Sequence, residues 1–191
     1  MHQQLNMLAT HLTMAQLEEG LDDIRQSPKD AGELKLIVRR PGVGHREVLD
    51  EGQLDTGEGL VGDTWRFRAS SRMPDKTSPH PDTQINIMNA RAIALVAKDP
   101  ARWALAGDQL YIDLDLSQRN LPAGTRIAIG SAILEVTSPP HTGCGKFVER
   151  FGLDAMTFVN SPVGRELCLR GINARVVHNG IVRRGDVARK I

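Results

Sequence analysis

Aromatic residues are scarce in this chain: two Trp, one Tyr and four Phe among 191 residues. So few rings argue against the stacking platforms on which single-stranded nucleic acids are bound. Charge of neither sign dominates, with 24 Lys and Arg against 23 Asp and Glu. That balance supplies no field to draw nucleic acid or an anionic membrane surface. The only cysteines, Cys144 and Cys168, are too few for a disulfide framework. No apolar run reaches the roughly 20 residues of a membrane span, and no basic segment followed by an apolar core opens the chain. The expectation is a cytoplasmic protein with reduced thiols, partnered by neither nucleic acid nor membrane.

What remains is an ordinary globular mix, 40% hydrophobic and 25% charged, long enough for one domain with an appendage. Residues 1–31 read as a separate helical extension. Thr13 and Gln16 have capping-box spacing, Leu17, Leu21 and Ile24 recur at helical spacing, and Pro28 ends the helix. With Met7, Leu8 and Met14 also apolar, the stripe is expected to dock on the domain or on a second subunit as a homodimer.

Residues 32–191 read as β. Leu34–Val38 is a strand, Pro41–Gly44 a turn, and a second strand centres on Val48 and Leu49. Gly57–Asp63 carries three glycines without the Gly-Lys-Ser/Thr of a phosphate loop or the spacing of a dinucleotide fingerprint, so a tight turn or bulge is expected. Residues 64–83 form a long polar loop in which Arg66, Arg68 and Arg72 make either an anion site or a solvated mobile loop. Thr83–Met88 is a strand, and Asn89 caps a helix over Ala90–Lys98. Leu110–Leu116 alternates as a half-buried strand. Arg126–Ile129 and Ala132–Thr137 make a hairpin around Gly130-Ser131, and Asn179-Gly180 predicts another between Ala174–His178 and Ile181–Arg183. A strand over Val187–Ile191 closes the chain. The fold class is mainly β with short helices, an antiparallel barrel or closed mixed sheet.

The stretch with the most chemistry is Pro139–Phe147. Two prolines stop the preceding strand. His141, Thr142, Cys144 and Lys146 then stand on a turn where Gly143 and Gly145 allow φ > 0 and close approach. A thiol so placed is a candidate ligand or nucleophile; the alternative is a small buried hydrophobe. Cys168, in Glu166-Leu167-Cys168-Leu169, is expected to pack as a small apolar residue. His141 and Cys144 alone are too few for a zinc site.

Four stretches together, GEGLVGD (57–63), GDQL (107–110), the cysteine loop and LRGINARVVHNGIVRRGD (169–186), resemble the MOSC domain, in order, over residues 33–190. The resemblance implies a closed β-barrel that binds the molybdenum cofactor (molybdopterin); pyridoxal phosphate is not expected. It implies Cys144 as metal ligand or sulfur carrier and His141 as a proton donor. Lys146, Arg170, Arg175, Asp63 and Gln109 are the candidate cofactor-binding residues. The expected activity is reduction of N-hydroxylated compounds with a separate electron donor; a persulfide carrier and a non-catalytic cofactor-binding module are the alternatives. Thr64-Trp65 stands where many relatives have Arg-His, and Asp108-Gln109 replaces the usual Glu-Asn, so substrate handling is expected to differ.

Overall fold

The computed structural model describes residues 11–191; Met7 and Leu8 of the apolar stripe lie outside them. Two short helices come first, α1 (Met14–Glu19) and α2 (Leu21–Arg25). The Thr13 side chain accepts from the Gln16 amide while the Gln16 side chain accepts from the Thr13 amide at 3.0 Å, the reciprocal cap expected from the sequence. Leu17, Leu21 and Ile24 are buried against Val96, Phe147 and Phe158 of the same chain. The stripe is therefore spent within the domain, because helices this short are stable only when an apolar face is packed. Leu17 is fully buried, so Leu17→Ala is expected to cost about 2–5 kcal/mol, read as a lower urea midpoint.

Strands β1 (Ala31–Arg39), β5 (Ile85–Asn89), β6 (Leu110–Ile112), β7 (Arg126–Ile129), β8 (Ala132–Val136), β9 (Ile172–His178) and β11 (Val187–Lys190) close a seven-stranded barrel in the order β1-β11-β7-β8-β9-β5-β6. All neighbours are antiparallel except β5 and β6, which run parallel, so the sheet is closed and mixed. A short β2 (Glu47–Leu49) pairs antiparallel with the end of β1, and β3 (Glu51–Asp55), β4 (Gly59–Leu60) and β10 (Gly180–Arg183) form a separate three-stranded sheet. Inside the barrel lie Leu34, Ile37, Ile87, Leu134 and Val176 among others. Outside it, Leu36, Val38, Met88 and Tyr111 pack under the helices. Burial of both faces explains why β1 carries the apolar run Leu36-Ile37-Val38 rather than an alternation.

Helix α3 (Ala90–Ala97) follows β5 and is capped by Asn89, which accepts from the amides of Arg91 and Ala92. Helices α4 (Gly145–Phe151), α5 (Leu153–Asn160) and α6 (Pro162–Glu166) follow the cysteine loop.

Two expectations change. The strand beginning at Leu110 ends at Ile112, all three residues being buried. Beyond it the amides of Asp113 and Asp115 bond instead to the carbonyls of Glu33 and Pro28. Asn179-Gly180 is not a hairpin: β9 pairs with β5 and β8, whereas β10 pairs with β3. The dipeptide is where the chain leaves the barrel for the small sheet. Asn179 Oδ1 accepts from the Thr56 amide at 2.8 Å and Nδ2 donates to Asp55 at 2.8 Å. Gly180 is required by packing, since a Cβ there would lie 2.4 Å from the Ala132 nitrogen.

Candidate functional site

A 3₁₀ segment, Pro100–Ala106, runs into Gly107, whose left-handed φ of 88° turns the chain toward β6. Around this turn three successive carbonyls each accept from a different arginine. Arg150 Nη1 donates to Leu105 O at 2.5 Å, Arg170 Nη2 to Ala106 O at 3.0 Å, and Arg40 Nη1 to Gly107 O at 2.9 Å. Arg46 also crowds the turn; a Cβ on Gly107 would stand 3.4 Å from its Nη2.

Two carboxylates answer these cations. Asp63, fully buried, accepts from Arg40 Nε and Nη2 at 2.8 Å each, and from the backbone amides of Arg40 and Trp65. Asp108, also fully buried, takes Arg170 Nη1 on both oxygens at 2.9 and 2.7 Å. That leaves Arg46, Arg68 and Arg150 with no carboxylate partner among the described residues. Burial, with Arg150 and Arg40 close by, holds the Arg46 guanidinium below its usual range. Arg68 is exposed at the surface, and partial desolvation together with the neighbouring Arg40 lowers it to about 10. The Arg46 Nε is buried without a hydrogen-bond partner. A surplus of cations and an unanswered donor are what an anionic ligand requires.

The cysteine loop meets the same turn at both ends. At one end His141 Nδ1 lies 3.3 Å from Asp108 Oδ1 without forming a hydrogen bond; at the other, α4 delivers Arg150 to Leu105. Between them Cys144 is exposed, at the N-cap of α4 but making no side-chain cap bond. Gly145 faces open space, whereas a Cβ on Gly143 would meet Val159 and Asn160 at 3.1 and 3.2 Å. Neither glycine has positive φ, so it is close approach, at Gly143, that uses the missing side chain. Asn160 fixes that approach by accepting from the Gly143 amide at 2.9 Å.

The other sequence candidates divide clearly. Arg170 and His141 sit at the turn, and Lys146 is exposed one helical position beyond Gly145. Asp63 and Gln109 are wholly buried and act by holding neighbours. Gln109 accepts from the Asn86 amide at 2.8 Å and donates to Gln84 O at 3.2 Å, using both ends of its side chain. Arg175 lies on the exposed side of β9, matched by Glu135 at 2.6 Å and Asp82 at 3.4 Å, and none of its contacts reaches the turn. Of the loop arginines, Arg66 pairs with Glu58 at 2.5 Å, and only Arg68 joins the cationic group. Arg40, Arg46 and Arg150 escaped the sequence reading; the available signal was the Arg39-Arg40 pair directly after the apolar Leu36–Val38.

Burial, helped by the Arg170 guanidinium, pushes His141 down to about 3 against the pull of Asp108. The imidazole is therefore neutral at pH 7. Because its folded pKa lies below the unfolded value of about 6.5, only the unfolded chain takes up this proton between those limits. The resulting stability is complete above pH 6.5 and falls by about 1.4 kcal/mol per pH unit as the pH drops toward 3. Urea midpoints between pH 4 and 7 should fall less steeply for His141→Asn than for wild type; parallel profiles would contradict the assignment.

Behind His141 and Thr142 opens a cavity of about 600 Å³ that extends to Arg165 and Cys168. Cys144 is not among its lining residues. Burial raises the Cys168 thiol to about 11, and the residue packs against the barrel core. Among the described residues no three His, Cys, Asp or Glu side chains converge as a metal site, and no helix is long and apolar enough to cross a membrane.

No protein-family model and no curated protein matches the chain. Solved structures do. The YuaD protein of Bacillus subtilis is 21% identical, with 83% of this chain and 94% of that one covered at a TM-score of 0.58. YiiM of Escherichia coli is 20% identical over 83% of this chain and 69% of its own, at 0.52. YiiM of Geobacillus stearothermophilus is 12% identical over 86% and 74%, at 0.50. With these MOSC-family neighbours and a closed seven-stranded barrel carrying a few short helices, the fold of this chain is MOSC-like.

Proposed function

We propose that the protein binds a molybdenum–pterin cofactor and reduces N-hydroxylated compounds with electrons from a separate donor. The observation that carries this reading is the bracketing of an exposed thiol, Cys144, by a turn on which arginines outnumber carboxylates. The residues suit the group on two counts. Without a carboxylate partner among the described residues, Arg46, Arg68 and Arg150 offer positive charge for its phosphate, and Lys146 is exposed two residues from the thiol. Cys144 offers one soft donor, and no full set of metal-ligating side chains converges among the described residues, so a metal here would arrive already held by its own dithiolene. When bound, the cofactor supplies the redox chemistry that no side chain here can provide. The chain's part is to anchor the phosphate, to present Cys144 Sγ, and to keep His141 neutral, as a proton relay rather than a standing acid.

An exposed thiol with open space at Gly145 also favours a second reading, a carrier that holds sulfur as a Cys144 persulfide. Purification from a cofactor-competent host separates the two. Molybdenum and pterin bound in equal amounts, and lost in Arg46→Glu, support the first. Cyanide-labile sulfur without metal supports the second. Folded protein with neither overturns both.

A further inference from the structure

The cavity behind the cysteine loop has a chemistry of its own. Its volume, about 600 Å³, lies in the range that holds a small organic molecule. Leu121, Val136, Val159 and Ile172 give it an apolar interior, and no Asp or Glu lines it, while Arg165 and Arg170 both reach it. The two arginines are not equivalent. Arg170 is answered by Asp108, but Arg165 is exposed and makes no ion pair among the described residues.

The walls are fixed by backbone. A Cβ on Gly171, at φ 109°, would lie 2.3 Å from Ile87 O, and one on Gly164 would lie 2.3 Å from Phe158 O. Both segments are therefore seated against neighbouring main chain with no room to shift. Ser161 also caps α6 by accepting from the Gly164 amide at 3.0 Å. The cavity exists before any ligand arrives, which spares a ligand the cost of ordering it.

We propose that this cavity binds a small organic anion with an apolar body, of the aryl or alkyl carboxylate or sulfonate class. The body lies against the four aliphatic side chains and the acid group meets Arg165 at the rim. Burial of an apolar body supplies the affinity; the one arginine without a carboxylate partner, Arg165, and the lack of any carboxylate in the wall select the charge. The cavity shares His141 and Arg170 with the turn, but Cys144 is absent from its lining, and Arg165 and the four aliphatic side chains belong to no part of the cofactor reading.

Anilinonaphthalene sulfonate serves as the probe, titrated by fluorescence into the folded wild-type protein. Saturable enhancement is expected, with affinity about tenfold weaker in Arg165→Glu and binding lost in Ala123→Trp, which puts a large ring on an exposed lining residue without touching the core. In Cys144→Ser, where Cys168 is the remaining thiol, saturating probe is expected to slow alkylation of Cys168 by N-ethylmaleimide, since that thiol lines the cavity. Circular dichroism confirms that each variant is folded. Absence of saturable enhancement, equal binding by both folded variants, or alkylation of Cys168 at an unchanged rate would each overturn the proposal. None of these readings requires molybdenum, so failure here leaves the cofactor proposal standing.

Discussion

Asp63→Asn is expected to lower stability by about 3–5 kcal/mol, the usual penalty for breaking a buried ion pair on one side only. The Arg40 and Asp63 side chains are 3% and 0% exposed. The carboxylate answers two guanidinium nitrogens and two backbone amides at once. An amide keeps the volume but removes the charge and turns one acceptor into a donor facing Arg40. The guanidinium is then left uncompensated in a region already crowded by Arg46 and Arg68. Urea denaturation followed by circular dichroism reads the loss, and a change under about 1 kcal/mol would contradict it.

Cys144→Ser is expected to fold as wild type and, loaded with cofactor, to lose turnover of an N-hydroxylated base by at least about a hundredfold, roughly 2.7 kcal/mol of barrier. The side chain is exposed and makes no cap bond, so a hydroxyl of similar size disturbs no packing. What disappears is the soft donor. Cys168→Ser serves as the contrast. It should cost stability, because the sulfur packs against the barrel core, and should leave molybdenum content unchanged. Wild-type turnover in Cys144→Ser would remove Cys144 from the site.

Local signals in the sequence reported local structure well. The Thr13–Gln16 cap, the Gly130-Ser131 hairpin and the Asn89 cap all form where side-chain chemistry places them, because each involves groups only a few residues apart. Asn179-Gly180 misled for an instructive reason. The same dipeptide that can close a hairpin also suits a place where main chain from another strand presses close, and only the pairing of β10 with β3 tells them apart. Nor could the site be assembled from the sequence. Arg40, Arg150 and Arg170 come from three distant segments and meet only because Leu105–Gly107 offers three carbonyls in a row. Arg39 and Arg40 are neighbours in sequence, yet the first pairs with Glu47 near the surface and the second is buried with Asp63. Composition registers neither that difference nor the local excess of cations, which the near-even total charge conceals.

The barrel is closed by its most distant pairing, Ala31 with Arg189 and Glu33 with Val187. Until β11 is in place, β1 and β7 both present unpaired edges, which is the condition under which strands recruit neighbouring chains. The entropy of bringing such remote segments together must be met before their hydrogen bonds return anything, so folding is expected to be slow and sensitive to protein concentration. Dilute refolding should therefore recover more native protein than concentrated refolding. A synthetic peptide spanning 187–191, added in excess, should compete for the β1 edge and slow the final phase.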